Sequence, residues 1–182
     1  MTDLERELTT LCTTCGVCCN GVMFAYVEVA PDELRPETRR RLQVLDGEKR
    51  FTLPCRGHAP EGCQVYEDRP QICRGYTCLL YEEHKASPVE LDRKLRRVAR
   101  VKELVASIRA RRKASHHEWL PQAIAEMLSV GKPSDVEPEL LLDIAELAMR
   151  LQRDMGWSPE PEEPKAEEPK AEGPKAAPTE PR

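Results

Sequence analysis

Aromatic side chains are scarce, 4% of 182 residues, and no apolar run approaches the ~18–20 residues that a membrane-crossing helix needs. A protein that spans a membrane by helices is therefore excluded. Histidine is scarce too: only His58, His84, His116 and His117 are present as candidate general bases. G-x-S-x-G, P-loop and dinucleotide fingerprints are all missing, so hydrolase and nucleotide-dependent chemistry have no motif to rest on. The expectation leans away from an enzyme. The N-terminus, Met1 to Glu7, is acidic and polar where a secretory leader would be basic and then apolar. The expected compartment is the cytoplasm, where disulfides are disfavoured and cysteine serves metal ligation or redox chemistry instead.

Against that background the chain holds eight cysteines, all between Cys12 and Cys78. Six of its eight aromatic residues fall in the first 86 positions, so the small core that region can build shares its space with the thiols. A core of that size usually needs a metal or another staple.

The net charge of -4 conceals a segmented chain. Residues 1–86 carry -3, residues 87–117 carry +7, residues 118–157 carry -5 and residues 158–182 carry -3. The last segment repeats Glu-Glu-Pro-Lys-Ala from Glu162 to Ala171 and a variant of it to Ala176. Dense proline without large apolar side chains predicts a disordered, extended tail. Before it stand three helical patterns. Ser87-Pro88-Val89-Glu90 reads as a capping box opening a long helix with apolar residues from Leu91 to Ile108 and an end near Arg112. A second helix is expected from Pro121 to the Gly131-Lys132-Pro133 break, and a third from a capping box at Ser134 to Gly156. Further forward, residues 2–11 read as a short helix, Val22 to Val29 as strand-forming, and Pro31 to Leu45 as a polar helix. Leu53 to Gly75, punctuated by proline and glycine, leaves short pieces and turns. The fold class expected is mainly α, with an irregular, metal-organised cysteine-rich module, little or no β-sheet and the disordered tail. Three segments are implied: a metal-binding domain over 1–86, a helical region over 87–157 and the tail over 158–182.

The thiols follow spacings that suit metal ligation. Cys12, Cys15, Cys18 and Cys19 form a C-x2-C-x2-C-C string. A two-residue spacer lets the thiolates at its ends meet on one ion while the backbone turns between them. Gly16 supplies freedom for that turn. Adjacent Cys18 and Cys19 diverge, so either two centres lie close together or one of the pair stands beside the metal. Cys55, Cys63, Cys73 and Cys78 complete the set. Four plus four suits two four-thiolate sites or one polynuclear cluster; thiolates exclude magnesium and calcium but do not choose between zinc and iron. Arg69 and Arg74 are candidates to offset thiolate charge, Tyr66 and Tyr76 to pack beside the site, and His58 to replace a thiol.

The C-x2-C-x2-C-C string with Asn20-Gly21, and the later stretch from Cys63 through Arg69-Pro70-Gln71-Ile72-Cys73-Arg74 to Cys78, resemble the bacterial CxxCxxCC or YkgJ-like cysteine-cluster family. The resemblance covers about residues 10–85. Members are described as zinc- or iron-chelating, and a similar cluster occurs in flagellin lysine methylases. The resemblance implies that Cys12, Cys15, Cys18, Cys19, Cys55, Cys63, Cys73 and Cys78 are all metal ligands, for zinc or iron, an iron–sulfur cluster included. It brings no settled reaction.

Two further readings follow. One is an iron-dependent redox or protein-modifying enzyme, or its accessory, as the methylase relatives imply. The other is an adaptor whose basic helix, with ten basic residues from Arg93 to Lys113, meets an acidic protein partner or nucleic acid. Acidic residues 118–157 follow directly, so intramolecular pairing with them or a solvated face is the better expectation for that helix. His116-His117-Glu118 fits no usual zinc spacing and reads as a helix end.

Overall fold

A computed structural model of the chain describes residues 2–30, 32–45, 47–88, 90–112, 119–130 and 136–157. Helix α1, Asp3–Cys15, starts at a capping box: the Thr2 hydroxyl accepts from the Glu5 amide at 3.2 Å, and the Thr2 amide donates to the Glu5 carboxylate at 2.6 Å. The helix outruns the expected 2–11, so Cys12 and Cys15 belong to its last turn. The strand-forming stretch condenses to β1, Tyr26–Glu28, paired antiparallel with β2, Arg50–Thr52. Helix α2, Pro36–Leu42, begins at Pro36 rather than Pro31, with proline in its first turn where the missing N–H costs nothing.

The punctuated stretch holds a two-residue hairpin, β3 (His58–Ala59) on β4 (Gly62–Cys63), a short 3-10 turn at Tyr66–Asp68 and helix α3, Gln71–Gly75. Helix α4, Leu79–Ala86, follows directly. Helix α5 spans Leu91–Arg112, α6 Leu120–Val130 and α7 Pro138–Arg150, which loosens into a π-turn at Leu151–Met155 before Gly156 ends it. The described residues are mainly helical with two small antiparallel sheets, in line with the expected mainly-α class with little or no sheet.

The capping box expected at Ser87 does not form. Ser87 instead ends α4, and Glu90 takes a left-handed backbone with φ +62°. The predicted start of the third helix at Ser134, the His116-His117-Glu118 sequence and the tail lie outside the described residues.

Two apolar cores organise these elements. The larger packs Leu11, Val17, Val22 and Met23 of the front region against Leu80 of α4, Val98, Val101, Leu104, Val105 and Ile108 of α5, and Leu140, Leu147, Leu151 and Met155. The smaller gathers Val29, Leu34, Leu42, Val44, Phe51 and Leu53 around the β1–β2 pair. Phe24 touches both. Its ring meets Tyr76 edge-on, with centroids 5.2 Å apart.

Candidate metal centre

The seam between the two cores is where the thiols gather. Cys12 and Cys15, three residues apart on α1, share one helix face. Gly16 then ends the helix in the left-handed region at φ +60°, its amide returning to the Cys12 carbonyl at 3.3 Å. The next turn closes through the Cys19 amide on the Gly16 carbonyl at 2.9 Å. Val17, Val22 and Met23 are buried in the larger core, which anchors the loop at three points and turns Cys18 and Cys19 toward the seam.

Other elements bring in the remaining thiols. The Cys55 amide donates to the Cys19 carbonyl at 2.7 Å, tying the second run of chain to the first. Cys63 lies opposite His58 in the β3–β4 hairpin. Cys73 sits on α3 and Cys78 at the N-cap of α4. All eight cysteines are free and partly buried.

Electrostatics sort the thiols differently from their order in the chain. Cys18 is the thiol held low, so its charge is among the causes that raise each of the other seven. The charge of Cys78 also raises Cys12 and Cys15, and Cys15 and Cys78 pack on the larger core. Cys55, Cys63 and Cys73 form the other group, with Cys19 acted on by Cys55 and Cys63; Cys55 and Cys73 pack on the smaller core. The neighbours Cys18 and Cys19, with sulfurs 3.9 Å apart, bridge the two. Cys78 thus belongs with the first sulfurs of the chain and Cys19 with the later ones, a pairing that no sequence spacing displays.

Burial, followed by mutual crowding, pushes Cys12 up to about 11. Burial likewise drives Cys15 and Cys73 to about 12 and Cys55 to about 11. Cys19 is raised by its hydrogen bond with Cys18, whereas the same bond lowers Cys18 despite burial. Without a cation the group is mostly neutral thiol; a bound ion stabilises the thiolate form and so displaces protons.

His58 stands directly on the first turn of the loop. A Cβ on Gly16 would come within 2.1 Å of its Nε2, and that nitrogen is buried without a hydrogen-bond partner. Burial, aided by the charge of Lys102, lowers its basicity. A second buried histidine, His84 on α4, meets the Glu7 carboxylate of α1 at 3.1 Å. Its burial was not foreseen in the sequence, although its place in the last turn of an amphipathic helix is the available signal.

The helical region braces the same loop. Lys102 donates to the Thr14 carbonyl at 3.2 Å and Arg109 to the Asn20 carbonyl at 2.6 Å. The Leu120 amide reaches the Gly21 carbonyl at 3.1 Å, and the Trp157 indole N–H the Met23 carbonyl at 2.9 Å. Four carbonyls across residues 14–23 thus accept from α5, α6 and the end of the described chain. None of these bonds was legible in the sequence.

The donor set fits a thiophilic cation such as zinc or iron: free, partly buried sulfurs from α1, the loop after it, the stretch at Cys55, β4, α3 and the N-cap of α4. Among the described residues no three Cys, His, Asp or Glu side chains stand in one metal-holding arrangement, so the sulfurs are neighbours without a fixed coordination geometry.

The CxxCxxCC family model, described as a "putative zinc- or iron-chelating domain", matches residues 11–102. The chain belongs to this family. Its match takes in every cysteine and runs on into the middle of α5, further than the cysteine motifs alone reach. No curated protein and no solved structure matches the chain. Chelation of zinc or iron is what the family's description gives it, without choosing between the two metals. Among the described residues no helix is long and apolar enough to cross a membrane.

Proposed function

We propose that this CxxCxxCC protein binds its metal through all eight cysteines, in two groups that meet at Cys18: Cys12, Cys15 and Cys78 on one side, Cys19, Cys55, Cys63 and Cys73 on the other. The observation that carries the reading is the packing of Cys15 and Cys78 on the larger core and of Cys55 and Cys73 on the smaller, with the sulfurs of Cys18 and Cys19 3.9 Å apart between them. Residues 1–86 supply the ligands, and residues 87–157 hold the loop that bears Cys15, Cys18 and Cys19. A bound ion would supply the positive charge that keeps the buried thiolates together, cross-linking α1, the hairpin, α3 and α4. The free thiols suit a reducing compartment, the cytoplasm.

The choice between zinc and iron is made by metal analysis with absorption spectroscopy on protein isolated without oxygen. Colourless protein holding about two zinc ions, one per four-thiolate group, is the outcome for a structural zinc protein. A visible absorption band with bound iron and sulfide identifies an iron–sulfur protein and favours the redox or protein-modifying reading. Protein without transition metal, isolated from metal-supplemented cells, would defeat the proposal. The adaptor reading has less support, because the basic residues of α5 that reach other elements are engaged within the chain.

A further inference from the structure

Arg69 and Arg74 flank Cys73 in the same motif, yet their surroundings differ. Arg74 is exposed on α3, and the group its charge acts on is the Asp68 carboxylate. Arg69 is partly buried and held on two sides. Its guanidinium carbon lies 3.6 Å from the centroid of the Tyr66 ring, and its Nε donates to the Tyr66 carbonyl at 2.9 Å. The platform is itself tethered, because the Tyr66 hydroxyl and the Thr9 hydroxyl of α1 stand 3.4 Å apart. Stacking and hydrogen bonding leave the fork one orientation, at less cost in side-chain entropy than a free lysine would pay. Thr9 stands one helical turn before Cys12 on α1, so the perch sets the guanidinium beside the first thiols, and its charge favours the thiolate of Cys12, Cys18, Cys63 and Cys73. These sulfurs come from both groups and from Cys18 between them.

Four thiolates around one divalent ion leave a formal charge of about -2. At a half-buried seam that excess needs a fixed counter-charge. We propose that Arg69 is the charge-balancing positioning residue of the thiol site, a guanidinium pinned on Tyr66 one turn of α1 from Cys12 that holds the two groups of sulfurs together for the metal. This rests on the eight-cysteine reading, but it assigns to Arg69 a role that none of the ligands has. Thr9, Tyr66 and Arg69 form a relay from α1 to the second run of cysteines, so the counter-charge also fixes how the two runs face each other.

The test is the zinc affinity of the full chain, reduced and metal-stripped, measured by competition with a chromophoric chelator. Arg69→Gln removes the charge and keeps a hydrogen-bond donor; it is expected to weaken zinc binding about tenfold to a hundredfold, the usual cost of losing an outer partner of a metal ligand. Arg69→Lys restores the charge without the planar stack and is expected to fall between wild type and Arg69→Gln. Arg74→Gln, in the same motif, is expected to match wild type. Circular dichroism of each metal-free variant reports folding. Should Arg69→Gln not fold, Tyr66→Leu, which leaves the charge but removes its platform, is expected to lose affinity several-fold while Tyr66→Phe keeps it. Wild-type affinity in Arg69→Gln, or equal losses in Arg69→Gln and Arg69→Lys, would overturn the assignment and reduce Arg69 to packing. Wild-type protein that takes up no zinc or iron would overturn the eight-cysteine reading itself, which separates the two failures.

Discussion

At the scale of single residues, Cys18 and Gly16 carry the site. Because Cys18 lies beside Cys19 with sulfurs 3.9 Å apart and its charge raises thiols of both groups, Cys18→Ser is expected to lower bound metal more than Cys15→Ser or Cys73→Ser, each placed in one group. Metal analysis on the three purified variants decides it; equal losses would mean that the groups do not share that thiol. Gly16 faces a double constraint, a left-handed backbone and the His58 ring where a Cβ would go. Gly16→Ala should cost about 1–2 kcal/mol from backbone strain alone, plus whatever displacing His58 adds, measurable as a fall in denaturant midpoint. The identity of the eight candidate ligands was legible in the sequence, because two-residue spacers and dense thiols have few other uses. Their grouping was not. Cys78 and Cys12 are sixty-odd positions apart, and only the antiparallel approach of α4 to α1, sealed by Leu80 and Leu11 in one core, sets them side by side.

Among the elements, α5 shows what periodicity can and cannot reveal. Its apolar stripe from Leu91 to Ile108 announced a long helix, and 22 residues of helix are found. Its start was misread because Ser87-Pro88-Val89-Glu90 satisfies a capping pattern by type alone. The serine was already committed to ending α4, whose carbonyl at Glu83 it satisfies. Helix α4 itself escaped notice, since eight residues give barely two turns of signal and its apolar face is Leu80 with a buried histidine. Helix α1 had a readable signal in Thr2-Asp3-Leu4-Glu5, the same type of box, here realised. What the polar face of α5 does had no sequence signature: Lys102 and Arg109 bind backbone carbonyls, which any residue offers. The brace predicts a coupling between distant parts. Trp157→Phe removes the indole donor and leaves the Met23 carbonyl without it, at a cost of about 1–3 kcal/mol if the carbonyl stays dry. It should also speed metal release to a chelator, because the loop bearing Cys15, Cys18 and Cys19 loses one of its ties. Unchanged release with lowered stability would confine Trp157 to the core.

Over the whole molecule, the charge segregation seen in the sequence resolves into pairing between α5 and the acidic region after it. Arg97 binds the Asp154 carboxylate at 2.7 Å and Glu83 at 2.8 Å, Arg100 binds Glu146 at 2.5 Å, and Arg111 binds Glu137 at 2.9 Å. Asp154 is the costly member, fully buried. Burial works to raise its carboxyl, but hydrogen bonds from Arg153 and Arg97 outweigh it and hold the group below the usual range. Glu146, hydrogen-bonded by Arg100 and Arg150, is held down to about 2. Carboxyls depressed in the folded state stabilise it fully above their unfolded pKa of about 4. That stabilisation is lost as pH falls from there through the folded values. The melting temperature should therefore fall as pH drops from about 4.5 towards 2. Asp154→Asn takes the charge from a carboxylate that accepts from two arginines, and at neutral pH it should cost about 1–3 kcal/mol, the range for hydrogen bonds to a charged group, since Arg97 keeps Glu83 and Arg153 is exposed. It should also flatten the acid limb, because one of the protonations that drives it is gone. Acid also strips metal from thiolates, so the comparison is made at matched metal content, where that contribution is common to both proteins and the difference in slope belongs to Asp154. Parallel acid limbs would mean that this carboxylate titrates alike in the folded and unfolded chains. The tie between α5 and the π-turn would then rest on apolar packing of Leu151 and Met155 rather than on charge.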